Sequence, residues 1–448
     1  MVSTRAAWLG LLAAAAAAAV LAQEGSTATA ADDRRFRFSG EVKLNYRDSD
    51  FLEFKLAFPF PPSFIPEGED GVYMRTPAAG SSFEIQNVSL VAEAEWTPTI
   101  RGRAVVHVVD LYNRNPTSSA QRIVVREAWL LMGKRAEALR EQEGSSLFLL
   151  LGKAPRFTKQ LDRRLESYGL WGTAVGRFEQ LQAQIGGSLG RNIYWRGHVA
   201  NGNPLFMRDP NALAGDFGTP ETEPGNVDPI YESGFPILYD TQAQDVNLSG
   251  SVELGGGLGL RFLDADGRNG LDLLGWYFAR DMEDKARIHG SYYEGDLEML
   301  RGAGGVPLPY HGREKEEYGA NLQAHLAGLR VFGQLVWQTL AGLEREGVEL
   351  EVAYRFPLNG LFASGDTPVI NWIQPAVRYS EIDNKFSAAK TFVSPSFFWD
   401  WVKIDAGVRV GIVRGVDLTL EYARNEMRLL NGTKLHPDEA LATLRYAF

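Results

Sequence analysis

The feature that most constrains this chain is an apolar/polar alternation of period two that recurs, run after run, from Phe36 to Phe448. From Phe36 to Tyr46 the even positions are Phe, Phe, Gly, Val, Leu and Tyr, and the odd ones are Arg37, Ser39, Glu41, Lys43 and Asn45. Successive side chains of a strand point to opposite faces, so each run has one apolar and one charged face. Val88, Leu90, Ala92, Ala94 and Trp96 oppose Asn87, Ser89, Glu93 and Glu95 in the same way. So do Val348, Leu350, Val352 and Tyr354 against Glu349, Glu351 and Arg355, and Leu418, Leu420 and Tyr422 against Asp417, Thr419 and Glu421.

A soluble β-sandwich alternates too, so periodicity alone does not choose. The runs often reach 11 to 14 residues, beyond the usual soluble strand and long enough for a tilted membrane strand. Aromatics recur toward the run ends (Phe36, Tyr46, Trp96, Trp276, Trp337, Tyr354, Trp401, Tyr446), where girdles form at the two membrane interfaces. Tight turns at Thr97-Pro98-Thr99, Gly190-Arg191, Ala327-Gly328 and Arg414-Gly415 alternate with long connections at 47–82, 154–177, 202–242, 283–315 and 383–398. Beyond the N-terminus no apolar run exceeds five residues, as at Leu147–Leu151. Membrane residence must then use strands, because a closed barrel is the one other way to satisfy the backbone in lipid.

Sixteen strands are expected between residues 36 and 448, an even number that leaves both termini on the periplasmic side. The interrupted unit is 243–263, where Gly255-Gly256-Gly257 reads as a bulge or kink; read as a turn, it leads to eighteen strands. The fold class is an all-β transmembrane antiparallel barrel. A helix-like link is expected from Lys134 to Glu143.

The N-terminus reads as an export signal. Arg5 precedes an apolar run from Trp8 to Leu21, and Val20-Leu21-Ala22 sets a cleavage site before Gln23. A retained anchor helix is the alternative, but the run is short against about 20 residues for a span. This divides the chain into a signal peptide (1–22), a flexible periplasmic lead-in (23–35) and the barrel (36–448). Losing Arg5 takes the net charge from −10 to −11, which argues against nucleic acid as a partner. The absence of cysteine excludes disulfides and thiolate-bound metal or haem. No cofactor is expected. The six histidines (His107, His198, His289, His311, His325, His436) form no catalytic signature, so an enzyme is not expected. Asp264-Ala265-Asp266-Gly267-Arg268-Asn269-Gly270 places Arg268 where a calcium loop needs a ligand, and reads as a hairpin turn.

The chain ends Leu444-Arg445-Tyr446-Ala447-Phe448, which resembles the last-strand signal of outer-membrane barrels. That resemblance implies that Leu444, Tyr446 and Phe448 are read by the barrel-assembly machinery. Arg126-Glu127-Ala128-Trp129-Leu130, Gly152-Lys153-Ala154-Pro155-Arg156-Phe157 and Val199-Ala200-Asn201-Gly202-Asn203 resemble the phosphate-selective porin O and P family. The resemblance implies an outer-membrane location, an inward-folding loop after the fifth strand, a passive channel for small hydrophilic solutes or anions, and a homotrimer. No regular arginine ladder accompanies these motifs.

The stretch from Lys153 to Arg177 carries Lys153, Arg156, Lys159, Arg163, Arg164 and Arg177 against Asp162 and Glu166, a surplus of four positive charges in an acidic protein. Folded inward, it would set a cationic cluster at the constriction and attract anions. The alternative is an Arg–carboxylate network that braces the wall. Phe58-Pro59-Phe60-Pro61-Pro62-Ser63-Phe64-Ile65-Pro66 is a stiff apolar element, placed either on a neighbouring subunit or over its own barrel mouth. A structural or adhesive barrel with a plugged pore is the competing function.

Overall fold

The alternating runs pair into one sheet that closes on itself. The computed structural model describes residues 36–50, 80–109, 123–135, 144–160, 163–167, 169–171, 179–201, 252–264, 269–281, 312–358, 360–364, 367–386, 400–429 and 432–448, with short pieces in the connections between them. Its strands are β1 (Phe36–Ser49), β2 (Gly80–Thr97), β3 (Ile100–Val109), β4 (Val124–Gly133), β5 (Ser146–Pro155), β6 (Glu179–Leu189), β7 (Ile193–Ala200) and β8 (Glu253–Leu263). They continue as β9 (Gly270–Asp281), β10 (Glu314–Leu326), β11 (Leu329–Leu340), β12 (Leu343–Tyr354), β13 (Trp372–Asn384), β14 (Asp400–Val413), β15 (Val416–Arg428) and β16 (Glu439–Ala447). Two short pieces, Phe356–Pro357 and Lys434–Leu435, extend β12 and β16.

Each strand pairs antiparallel with its neighbours in sequence, and β1 pairs with both β2 and β16. The result is a closed barrel of sixteen strands, as the sequence indicates. Phe448 completes the seam: its N–H donates to the Gly40 carbonyl and its carbonyl accepts from the Gly40 N–H, each at 3.0 Å. Closure removes the free edges that would otherwise leave backbone groups unpaired in lipid.

The parity read from sequence sets which side is which. Leu420, Leu350, Leu258 and Phe38 lie exposed on the outer face, while Glu421, Glu351, Arg261 and Asn45 are buried on the inner one. The interior is rich in buried polar and charged side chains, with local apolar clusters such as Leu131, Phe148 and Leu150.

Three expectations need correction. Gly255, Gly256 and Gly257 form no bulge: they pair in unbroken register with both β7 and β9. They make room for inward rings, since a Cβ on Gly255 would lie 2.2 Å from Phe278 and one on Gly257 3.0 Å from Phe157. Trp276 and Trp401 do not join the outer girdle. They point inward and donate their indole N–H to Asn321 and Asn425, each at 3.0 Å. Long and short connections do not alternate strictly, because Ala341-Gly342 joins β11 to β12 on the loop-bearing rim in a two-residue turn. Both turn residues take positive φ (51° and 82°), the geometry that matches strand twist. Residues 1–35, most of 134–143 and of 264–268, and Phe58 to Phe60 lie outside the described residues, so the signal peptide, the helix-like link and most of the turn at Asp264 are not placed. Asp264 and Asn269 do close that turn, with Asn269 donating to the Asp264 carboxylate at 2.7 Å.

Candidate functional site: the inward loop and its wall

After β5 the chain turns into the barrel and runs along the inner wall. Its first anchor is Arg156, buried between β8 and β10. The guanidinium donates to Glu253 on β8 through Nε at 3.1 Å and again through Nη2, and to Glu317 on β10 at 2.9 Å. It also stands 4.2 Å from the centre of the Phe278 ring, a cation–π contact. Burial alone would lower its pKa, but Glu253 and Glu317 more than offset that and raise it.

Further along, the loop's own backbone is held by wall carboxylates. Asn321 on β10 donates to the Thr158 carbonyl at 2.9 Å. The N–H of Arg164 donates to Glu351 on β12 at 3.2 Å, those of Glu166 and Ser167 to Glu421 on β15 at 2.7 and 3.0 Å, and that of Trp171 to Glu349 on β12 at 3.0 Å. Arg378 on β13 links three of these parts, donating to Asp405 on β14 at 2.9 Å, to Glu351 at 3.3 Å and to the Ser167 carbonyl at 2.9 Å. An irregular loop in a barrel interior has unpaired amides, and buried ones must find acceptors. Inward carboxylates on β12 and β15 supply them.

The loop's apolar side chains sit where the wall is small. Leu165 packs with Ala353 on β12 and Ala376 on β13, beside Gly407 on β14, whose missing Cβ would fall 2.9 Å from Leu165. Trp171 lies over Gly347 and donates its indole N–H to the Glu381 carbonyl at 2.8 Å. The wall under the loop is thus a shaped seat: acidic where it meets amides, small where it meets Leu165 and Trp171.

On the other side of the loop, charges alternate in two chains. In the first, Arg103 on β3 contacts Glu93 on β2 and reaches Glu127 on β4 at 3.3 Å; Lys159 of the loop lies 3.5 Å from Glu127 and 3.7 Å from Glu179. In the second, Arg445 on β16 pairs with Glu41 on β1 at 2.8 Å and Asp417 on β15 at 3.3 Å, and Lys43 joins Glu41 at 3.9 Å to Glu166 at 2.7 Å. Arg163 adds a contact to Glu166 at 3.4 Å. Burial would raise the Glu166 carboxyl, but Lys43, Arg163 and Arg409 hold it well below the ordinary carboxylate range.

Of the six cations singled out in the sequence, the five among the described residues therefore do not gather into one cluster. Arg156 is neutralised in the wall. Lys153 pairs in register with Ala128 and Leu181, both on the lipid-facing side, and so belongs to the outer face. Its ammonium reaches the Val125 carbonyl at 2.7 Å. Lys159 and Arg163 each stand beside carboxylates, and Arg164 enters through its backbone N–H to Glu351. Arg177 lies outside the described residues. Wall bracing, the second reading of this stretch, describes Arg156. What the sequence reading missed is the seat itself, whose signal was small residues at inward positions of β12 to β14.

The structure is similar to solved outer-membrane proteins. OprB of Pseudomonas putida matches at 10% identity over 93% of this chain and 95% of that one, with a TM-score of 0.50. The outer-membrane channel DcaP of Acinetobacter baumannii matches at 10% identity over 92% and 97%, with a TM-score of 0.49. OmpF of Salmonella typhi matches at 8% identity over 92% and 97%, also at 0.49. No protein-family model and no curated protein matches the chain.

Proposed function

We propose that this chain is an outer-membrane porin, a passive channel for small hydrophilic solutes. The observation that carries the reading is the uneven solvation of the barrel interior. Where the loop is sewn down, the wall charges are buried, as at Arg378 and Asp405. On β2, β3 and β16 several stay open to solvent, with Glu93 43%, Arg103 32% and Arg445 30% exposed, although Arg47 on β1 and Glu439 on β16 are buried. A loop that sealed the pore would bury both sides alike. Here it narrows one side and leaves a charged, wettable wall on the other.

The anion or phosphate preference implied by the porin O and P resemblance enters this proposal in weakened form. With Arg156 neutralised and Lys153 outside, Lys159, Arg163 and Arg164 remain among the described residues, and carboxylates accompany them. We expect at most a slight anion preference and no phosphate selectivity. Export by a cleaved signal peptide, assembly through Leu444, Tyr446 and Phe448, and a homotrimer belong to the same reading.

Purified protein in a planar bilayer tests it. The reading expects stepwise, ohmic currents with a reversal potential near zero in a salt gradient. A barrel that inserts without conducting would instead be the plugged, structural alternative.

A further inference from the structure

Beyond opening a path, the interior sets an order of charge along it. The two chains of alternating charge begin on different strands of the wall, at Glu93–Arg103 on β2 and β3 and at Asp417–Arg445 on β15 and β16, and reach the inward loop at Lys159 and at Glu166. Each chain keeps one cation–carboxylate pair in contact with water: Glu93 is 43% and Arg103 32% exposed in the first, Arg445 30% and Glu41 25% in the second, against 3% and 1% for Arg156 and Glu253 on the far side of the loop. Each chain is close to neutral overall, yet at every step a cation and a carboxylate stand within 4 Å of each other.

We propose that solutes cross along the inner wall of β16, β1, β2 and β3, and that its alternating charges favour zwitterions, solutes bearing both an ammonium and a carboxylate, over neutral or singly charged solutes of equal size. The inference rests on the channel reading above. A singly charged solute feels the sum of charges within a screening length of about 8 Å at physiological salt, and along these chains that sum nearly cancels. A zwitterion feels the difference instead. Its ammonium can meet Glu93 or Glu41 while its carboxylate meets Arg103 or Arg445, and the arginine fork suits a carboxylate. Because these charges keep contact with water, each exchange of partner is shallow, so the solute moves on to the next pair rather than being trapped.

The test is swelling of liposomes that contain the purified protein, with serine, erythritol and lactate as zwitterionic, neutral and anionic probes of similar size. Serine should enter about two- to fivefold faster than erythritol, the range that one solvent-exposed ion pair supports, and lactate should stay close to erythritol. In an Arg103→Gln/Arg445→Gln double variant the serine-to-erythritol ratio should fall toward one. That ratio is taken within each preparation, so a variant that inserts poorly still reports it. Serine no faster than erythritol in the wild-type protein overturns this proposal and leaves the channel intact. Lactate faster than serine overturns it in favour of simple anion preference. No swelling with any probe overturns the channel reading and this proposal with it.

Discussion

Gly347→Ala should unseat the inward loop without touching the loop's sequence. Gly347 faces inward on β12 under the Trp171 indole. A Cβ built there would lie 1.6 Å from Trp171 Nε1, 2.3 Å from Cε2 and 2.4 Å from the Glu381 carbonyl oxygen. Neither the strand carbonyl nor a ring buried to 2% exposure can give way by that much, so the indole must leave. Overpacking of this kind costs about 1–3 kcal/mol. Displacing the ring also breaks the 2.8 Å bond to Glu381, and an unsatisfied buried donor costs about 1–3 kcal/mol. Together these come to at least about 2 kcal/mol, a shift of roughly 30-fold in the seated-to-unseated ratio. Single-channel recording should show new, fluctuating conductance levels in Gly347→Ala. Trp171→Phe, which loses chiefly the N–H bond, should show them more rarely. A Gly347→Ala channel with wild-type conductance and wild-type dwell times would refute the seat.

Leu420 faces lipid at 51% exposure, so Leu420→Arg should destabilise the barrel by about 2–4 kcal/mol if it lies near mid-membrane, whereas Glu93→Gln on the solvated inner face should change stability by less than about 1 kcal/mol; urea titration of the heat-modifiable band separates the two. Deleting Phe448 removes both seam hydrogen bonds with Gly40 and should abolish accumulation of heat-modifiable barrel in the outer membrane. Glu166 gives a pH dependence: a carboxylate whose folded pKa is depressed stabilises fully above its ordinary value of 4.5 and loses that contribution only as pH falls through the lower folded value. Wild-type conductance should thus stay steady from pH 7 to 4.5. Lys43→Met removes the foremost of the charges that lower the Glu166 pKa and should bring loop fluctuations on at higher pH.

The barrel was legible because side-chain direction in a strand has a period of two, and lipid on one side and water on the other leave that period no room to drift. Strand number and most faces followed. Lys153 was legible as well: it continues the outward row Leu147, Leu149, Leu151, and only the charge of its neighbours in sequence suggested otherwise. Trp401 was misplaced because position near a strand end outweighed parity, and Trp276, which stands in the middle of β9, because its aromatic character did; parity already pointed both inward. The partners of Arg156 could not be read locally, since Glu253 and Glu317 lie 97 and 161 residues away. Gly407 and Ala376 sit at inward positions among charged neighbours, where a water-filled lumen gives no reason for small side chains. They were the available trace of a loop seat, and they acquire that meaning only once the loop is laid against them.

The central claim is that one side of the lumen conducts while the other is sealed under the loop. Because the chain has no cysteine, single thiols can be placed on either side and probed with a charged methanethiosulfonate reagent during single-channel recording. Arg103→Cys lies on the solvated wall. Ser380→Cys, a near-isosteric change at a fully buried inward position on β13, lies beneath the loop. The account predicts a stepwise fall in current when reagent is added to the Arg103→Cys channel, and no change for Ser380→Cys. Equal modification of both, or of Ser380→Cys alone, would contradict it.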